Sequence, residues 1–451
     1  MRAAPATVEG SFFDRGLETA SAEERRGHQW QRLTGGLREI WATNRFWRAR
    51  LGAAGLRDPR DVGSWDDFAR LPRLAKAELA ADQAEHAPFG TNLTYPLARY
   101  VRVFQTSGTT GRPLRWLESD ESWAWWARCW GFVFRGAGLG PGDRIFFPFS
   151  FSLFVGFWAG FEGARTVGAL AIPGGGQDSA LRLHVMQELG ATAFACTPSY
   201  GLHLAEVAQS RGLDARALGI RVTVHAGEPG AGIPAVRRRL ETLWGARAYD
   251  HAGMTEVGAY GFECREQAGL HVNEAEFVAE VLDPDSGEPV APGEVGELTL
   301  TNLGRWGSPV LRYRSGDRVR LASDPCPCGR TFARLDGGIL GRVDDMLIVR
   351  GVNVFPSALE GIVRRFDAVD EFQIEVFRRG ALDEIRLLLE IDPAAGPADV
   401  TGRTCLHVVE AVRQALGIRV EAMPVPARSL PRYELKARRV VRREGEPAPS
   451  G

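Results

Sequence analysis

Thr106-Ser107-Gly108-Thr109-Thr110-Gly111-Arg112-Pro113 follows directly on the run Val101-Arg102-Val103-Phe104-Gln105, and the reading of this stretch decides the rest. Four hydroxyls and two glycines in one turn offer side-chain and backbone donors to an anion that approaches closely. The G-x-x-x-x-G-K-[ST] spacing of a Walker loop is absent. A polar hairpin turn has the same composition, so the turn alone leaves two readings open: an anion cradle or a simple reversal of the chain.

Working outward, the first ~100 residues read as helices, because EERRGHQWQRLTGGLREIWATNRFWRARL places apolar residues three and four apart. Downstream, VRVFQ, ARTVGALAIP, ATAFACTP and GIRVTVHAG alternate with helical stretches, the pattern of a layered α/β domain. Strands dominate from Phe277 to Arg320, and a compact α+β unit follows GRVDDM at 341–346. Its strands are FQIEVF, IRLLLEI and IRVEAM, set around the helical CLHVVEAVRQALG. The chain of 451 residues exceeds one ordinary core, since domains run to roughly 100–200 residues. The expected architecture is α/β: a large multi-layer N-terminal domain at 1–340, a hinge at 341–345 and a small mobile α+β domain at 346–451.

Lys+Arg total 55 against 56 for Asp+Glu, a balance that disfavours a coat for nucleic acid or an anionic membrane. The uncharged run Ile145–Phe161 is at the short end of a bilayer span and contains Pro148, so it reads as a buried pocket wall. The opening residues carry no apolar signal-peptide core, and a cytoplasmic setting is expected.

Several fragments stand in order with the hydroxyl-glycine turn. They are GEP at 227–229, HAGMTEVG at 251–258, YRSGD at 313–317, GRVDD at 341–345, RGVNVFP at 350–356 and SLPRYELKARRV at 429–440. In this order they resemble the adenylate-forming superfamily of acyl- and aryl-CoA ligases, and within it the phenylacetate-CoA ligase branch. The likeness runs from about Leu71 to Val441 and implies a reaction. A carboxylate attacks the α-phosphate of ATP, pyrophosphate leaves, and the acyl-adenylate passes to coenzyme A with AMP as product.

The resemblance also implies roles. Ser107, Gly108, Thr109, Thr110, Gly111 and Arg112 would hold the departing phosphates, with Arg112 standing where the family often has Lys. Thr255 would face the phosphate and Glu256 would bind Mg²⁺, an oxygen ligand for a hard cation. Asp317 would accept the ribose hydroxyls, with Arg342 beside the nucleotide and Glu228 and Pro229 also in its site. Position 252 is Ala where the superfamily usually stacks an aromatic ring on adenine, so Tyr249 or Asp250 would serve the purine edge. Lys436 would bridge carboxylate and α-phosphate. Only Lys76 and Lys436 are lysines in this arginine-rich chain, which suggests that a compact ammonium is needed at 436. Lys76 reads as structural. Asp344 would be the hinge and Gly351 would line the CoA tunnel.

Phe149, Phe154, Ala226 and Gly227 would surround the acid, and flat rings beside small residues suit an aryl or arylacetic guest. Cys264, His271, Cys326 and Cys328 offer three thiolates and an imidazole, the ligand set of a closed structural zinc site, although buried free cysteines are also common. Cys129, Cys196 and Cys405 look like core residues. The arginines at 438, 439, 442 and 443 read as a solvated face or a contact for CoA phosphates. A carrier-protein pantetheine or an amine could replace CoA as acceptor, and a homodimer stays open. A zinc-ribbon nucleic-acid-binding protein is the alternative from another class, disfavoured by the near-neutral charge.

Overall fold

The computed structural model describes residues 11–106, 113–343, 347–349, 352–379, 382–392, 395, 399–433 and 437–443. Ser107, Gly108, Thr109, Thr110, Gly111, Arg112, Asp344, Gly351 and Lys436 lie outside the described residues, as does the terminal GEPAPSG.

Up to Arg99 the named elements are helices, the longest being Ala22–Thr43. Ser21 starts it with a capping box: its hydroxyl accepts from the Glu24 amide, and the Glu24 carboxylate accepts from the Ser21 amide. Leu33, Leu37 and Ile40, spaced by four and three, bury themselves in the main core. β1 (Tyr100–Gln105) and β2 (Arg115–Ser119) then pair antiparallel, with Gln105 opposite Arg115. The strands on either side of the hydroxyl-glycine stretch are therefore antiparallel partners.

The large sheet begins with β3 (Arg144–Phe147), β4 (Leu170–Pro173), β5 (Ala193–Cys196), β6 (Val222–His225) and β7 (Arg247–Met254). These are parallel in the order β4-β3-β5-β6-β7. Ala193–Cys196 and Val222–His225 are buried at every position, as strands covered on both faces must be. The main core lies on one side, and a second core containing Phe194, Tyr200 and Trp244 lies on the other. β8 (Gly258–Phe262) and β9 (Leu270–Val272) extend the sheet antiparallel from β7. β10 (Phe277–Leu282), β11 (Val295–Asn302) and β12 (Tyr313–Arg320) make a second, antiparallel sheet. β13 (Arg334–Leu335) pairs with β9 at the edge of the large sheet, and β14 (Gly341–Arg342) pairs with β12.

A third core draws only on residues from Leu347 onward. Here β15 (Leu347–Val349) pairs with β16 (Val352–Val354), followed by the helix Pro356–Val363. β17 (Val369–Arg379), β18 (Leu382–Ile391), β19 (Glu421–Val425) and β20 (Val440–Arg443) form a sheet in the order β19-β18-β17-β20. The helix Val400–Leu416 packs on β18 and β19.

Three readings of the sequence change. In ARTVGALAIP only Leu170–Pro173 is extended, because Ala164–Thr166 ends a helix and Gly168, at φ 78°, turns the chain between them. Ile145–Phe161 divides into β3, a loop and the start of the helix Gly156–Thr166, and among the described residues no helix is long and apolar enough to cross a membrane. The terminal arginines are no uniform solvated face: Val440–Arg443 is a strand parallel to β17, and Arg439 is only 8% exposed.

Candidate active site

Ligands of open parallel sheets bind beyond the carboxyl ends of the strands, where the loops leave the sheet. Phe149 follows β3, Ser199 follows β5, Ala226 to Pro229 follow β6, and Thr255 and Glu256 follow β7. The fold thus places Phe149, Ala226, Gly227, Glu228, Pro229, Thr255 and Glu256 just after parallel strands of one sheet.

Glu256 is 6% exposed, and its Oε1 lies 3.0 Å from Lys76 Nζ. Lys76, read from sequence as structural, opens the helix Lys76–Glu85 and delivers an ammonium to the carboxylate expected to bind Mg²⁺. The turn bearing Thr255 and Glu256 is held from behind by Arg305. Its Nη1 donates to the Thr255 carbonyl at 2.7 Å and the Glu256 carbonyl at 3.0 Å, while Nε and Nη2 bond the Glu118 carboxylate. Arg305 and Glu118 side chains are fully buried, and the guanidinium lies over Trp116 at 4.7 Å. Nothing in the sequence marks Arg305, which reads as one surface arginine among many. Arg305→Met is expected to destabilise the protein by about 3–5 kcal/mol, because the partner of a buried ion pair is left uncompensated. Urea unfolding of the variant beside the parent checks this, and an unchanged midpoint would contradict it.

Asp317 and Arg342 face each other across β12 and β14, with Oδ1 and Nη1 2.8 Å apart. Tyr260 donates its hydroxyl to Asp317 Oδ2 at 2.6 Å, joining the two sheets at the carboxylate. Burial raises the Tyr260 phenol well above its usual range, which keeps it a donor.

Asp250 stands at the Gly232 side of the site, so close that a Cβ on Gly232 would fall 2.7 Å from Oδ2. Burial pushes its carboxyl up to about 6 against the pull of Arg237. Arg237 in turn pairs with Glu263, whose Oε2 accepts from the Asp250 amide at 2.8 Å. Tyr249, the alternative to Asp250 at the purine edge, is 4% exposed and packs in the main core. Alternation along β7 turns it away from its neighbour.

Glu228, expected toward the nucleotide, is engaged by the protein itself. Its Oε1 accepts from the Ser199 amide at 2.8 Å and its Oε2 from the Ala437 amide, so protein amides take both oxygens. Gly227 is exposed at φ 95°, a left-handed conformation that a side chain would strain, and Pro229 is exposed beside it. Phe149, 8% exposed, meets Phe151 at 5.5 Å and Phe157 at 5.4 Å, both edge-on. Phe154 and Ala226 are half-buried against the same core.

Cys264, His271, Cys326 and Cys328 are all buried, with their ligand atoms within 4.8 Å of one another. They come together although His271 and Cys326 stand far apart in sequence, because β13, just after the cysteine pair, adds to β9.

The AMP-binding enzyme family model matches residues 77–304, and that of the AMP-binding enzyme C-terminal domain matches 351–443. A phenylacetate-coenzyme A ligase of Escherichia coli (strain K12) is 34% identical over 431 residues, 94% of this chain and 96% of that protein. One of Thermus thermophilus is 34% identical over 379 residues, 83% of each. A solved 2-hydroxyisobutyryl-CoA ligase, in the postadenylation state with 2-HIB-AMP, superposes with a TM-score of 0.91 at 32% identity, over 97% of this chain and 93% of that one. The same ligase in the thioesterification state, with 2-HIB-AMP and CoA, gives 0.72 at 33% identity, over 97% and 94%. Identity and coverage hardly change between the two, so the difference lies in how the parts are arranged. The arrangement of this chain is more similar to the postadenylation structure than to the thioesterification one.

Fold, strand-edge site and relatives together define an adenylate-forming enzyme. The chain belongs to the AMP-binding enzyme family, in its phenylacetate-CoA ligase-like branch. It is an AMP-forming CoA ligase, activating an acid with ATP before thioester formation.

Proposed function

We propose that the acid is aromatic and that the nucleotide lies along the carboxyl edge of the parallel sheet. The observation that carries this is the convergence on that edge of Glu256, braced by Arg305 and Lys76, with the ring wall around Phe149. Asp317, oriented by Tyr260 and Arg342, accepts the ribose hydroxyls, and Asp250 meets the purine edge. Thr255 and Glu256 face the phosphates. Magnesium bound at Glu256 would supply positive charge to them, and the carboxylate suits that hard ion. Lys76 adds a second positive charge at the same place. Both reactants are anions, so these residues work by neutralisation and alignment. Ser107 to Arg112 hold the departing phosphates, and Lys436 joins carboxylate to α-phosphate.

Phe149 and Phe154 with Ala226 and Gly227 enclose the acid. The unit from about residue 346 swivels at Asp344 after adenylation, and Gly351 lines the path of the CoA thiol. CoA rather than a carrier protein takes the acyl group, and the reaction belongs in the cytoplasm, where ATP and CoA meet. Cys264, His271, Cys326 and Cys328 hold a structural zinc.

Pyrophosphate release with benzoic, hydroxybenzoic, aminobenzoic, phenylacetic and 2-hydroxyisobutyric acids, with CoA or a phosphopantetheinylated carrier, tests the assignment. An aryl acid is expected to exceed the aliphatic one in kcat/KM by about tenfold or more, the discrimination a shaped apolar pocket supplies. A faster reaction with 2-hydroxyisobutyrate than with every aryl acid would overturn the aromatic reading.

A further inference from the structure

The residues on either side of positions 434–436 are fastened to the large domain at three points. Before them, Arg432 pairs with Glu390 at 2.8 Å and reaches Glu206 of the helix Pro198–Ser210 at 3.5 Å. After them, the Ala437 amide donates to Glu228. Arg439 then donates Nη2 to Ser199 Oγ at 3.1 Å while holding Glu371 and Glu360. Glu228 and Ser199 are themselves joined through the Ser199 amide.

These contacts divide into two kinds. Arg439 with Glu371 and Glu360, and Arg432 with Glu390, lie within the C-terminal unit and travel with it. The bonds to Ser199, Glu206 and Glu228 cross to the large domain, so a rotation of the C-terminal unit would break them. Arg432–Glu206 is long and partly exposed, so it contributes little. The Glu228 carboxylate is stronger, because one ionised group accepts from a backbone amide on each side of the junction. No side chain of the mobile unit is needed for that bond, only a peptide N–H.

We propose that Glu228, with Ser199, is a positioning residue: it docks the segment that follows Lys436 onto the large domain and so sets the share of molecules poised for adenylation. The inference rests on the adenylating role given to Lys436. It assigns the GEP glutamate to the balance between the two half-reactions rather than to nucleotide recognition. A docking bond stabilises one arrangement only, so weakening it shifts the population by its differential free energy and no more.

The test measures the half-reactions separately: pyrophosphate release from ATP with phenylacetate, and conversion of chemically prepared phenylacetyl-adenylate by CoA. Glu228→Gln keeps size and one acceptor oxygen but removes the charge. It is expected to lower the adenylation kcat about tenfold, the equivalent of about 1.4 kcal/mol, with ATP KM and thioester formation unchanged. Ser199→Ala, which keeps the amide bonded to Glu228 and removes only the hydroxyl that receives Arg439, shifts the same ratio in the same direction by less. A raised ATP KM with unchanged kcat in Glu228→Gln, or a parental ratio of half-reactions in both variants, overturns the docking role. Lys436→Ala run alongside separates the two ideas: if it adenylates normally, the reading of Lys436 fails, and if it is inactive while both other variants match the parent, the dock alone fails.

Discussion

Lys436→Ala is expected to lower pyrophosphate release by about 10²–10³-fold, the scale of losing one preorganised donor aimed at developing charge. Conversion of preformed acyl-adenylate to thioester should survive. The reasoning begins from charge. A carboxylate and a triphosphate repel each other, and the attacking oxygen must come in line with the α-phosphorus. A compact ammonium can touch both oxygens, whereas a guanidinium imposes a planar fork. In a chain with only two lysines among its 55 basic residues, Lys436→Arg is therefore expected to fail as well. The structure adds that Ala437, the next residue, is bonded to Glu228 in the arrangement matching the postadenylation state of a relative. A variant at position 436 that released pyrophosphate at the parental rate would remove the lysine from the mechanism.

The position of residues such as Phe149, Ala226 and Glu256 just after strands was legible because it is local. AFAC and VTVH announce covered parallel strands, and the residues just beyond such strands fall on one side whatever the details of packing. The separate core formed from Leu347 onward likewise draws on strands and helices that are local in sequence. What the sequence hid depends on pairs far apart in the chain. Lys76 with Glu256, Arg305 with Glu118 and Arg439 with Ser199 leave no periodic trace, since only the finished fold brings them together. A buried arginine is also written with the same letter as a solvated one. Val440–Arg443 escaped notice because two valines beside two arginines make a weak strand signal, and the partner β17 supplies the register. Glu228 stands in a motif visible in the sequence, but its bonds to the Ser199 and Ala437 amides depend on the fold.

Metal analysis is expected to find about one zinc per chain, as a single closed tetrahedral site requires. Zinc–sulfur bonds of about 2.3 Å span a tetrahedral edge of about 3.8 Å. Cys264 Sγ and Cys326 Sγ lie 3.6 Å apart, and Cys328 Sγ is 3.5 Å from His271 Nε2. The cysteines are free of disulfides, and His271 directs its other nitrogen to the Phe332 carbonyl at 3.3 Å, the outer bond that orients a metal-binding imidazole. An ion here would tie Cys264, just past β8, and His271 of β9 to the loop before β13, at the edge of the large sheet. That loop also anchors the N-terminal segment, with Arg330 Nε 2.5 Å from the Glu18 carboxylate and the Thr331 amide 2.9 Å from the Glu18 carbonyl. Losing the metal should therefore loosen an edge and a terminus together. Replacing Cys326 and Cys328 by Ser is expected to abolish zinc binding and cost at least ~3 kcal/mol, a fall in Tm of about 4 °C or more for a unit of this size at ~2.1 cal/mol/K per residue. Adenylation at low temperature should persist, because the cluster shares no residue with the strand-edge site around Glu256. Protein that is free of zinc yet melts with the parent would show that three thiols and an imidazole pack here without a metal.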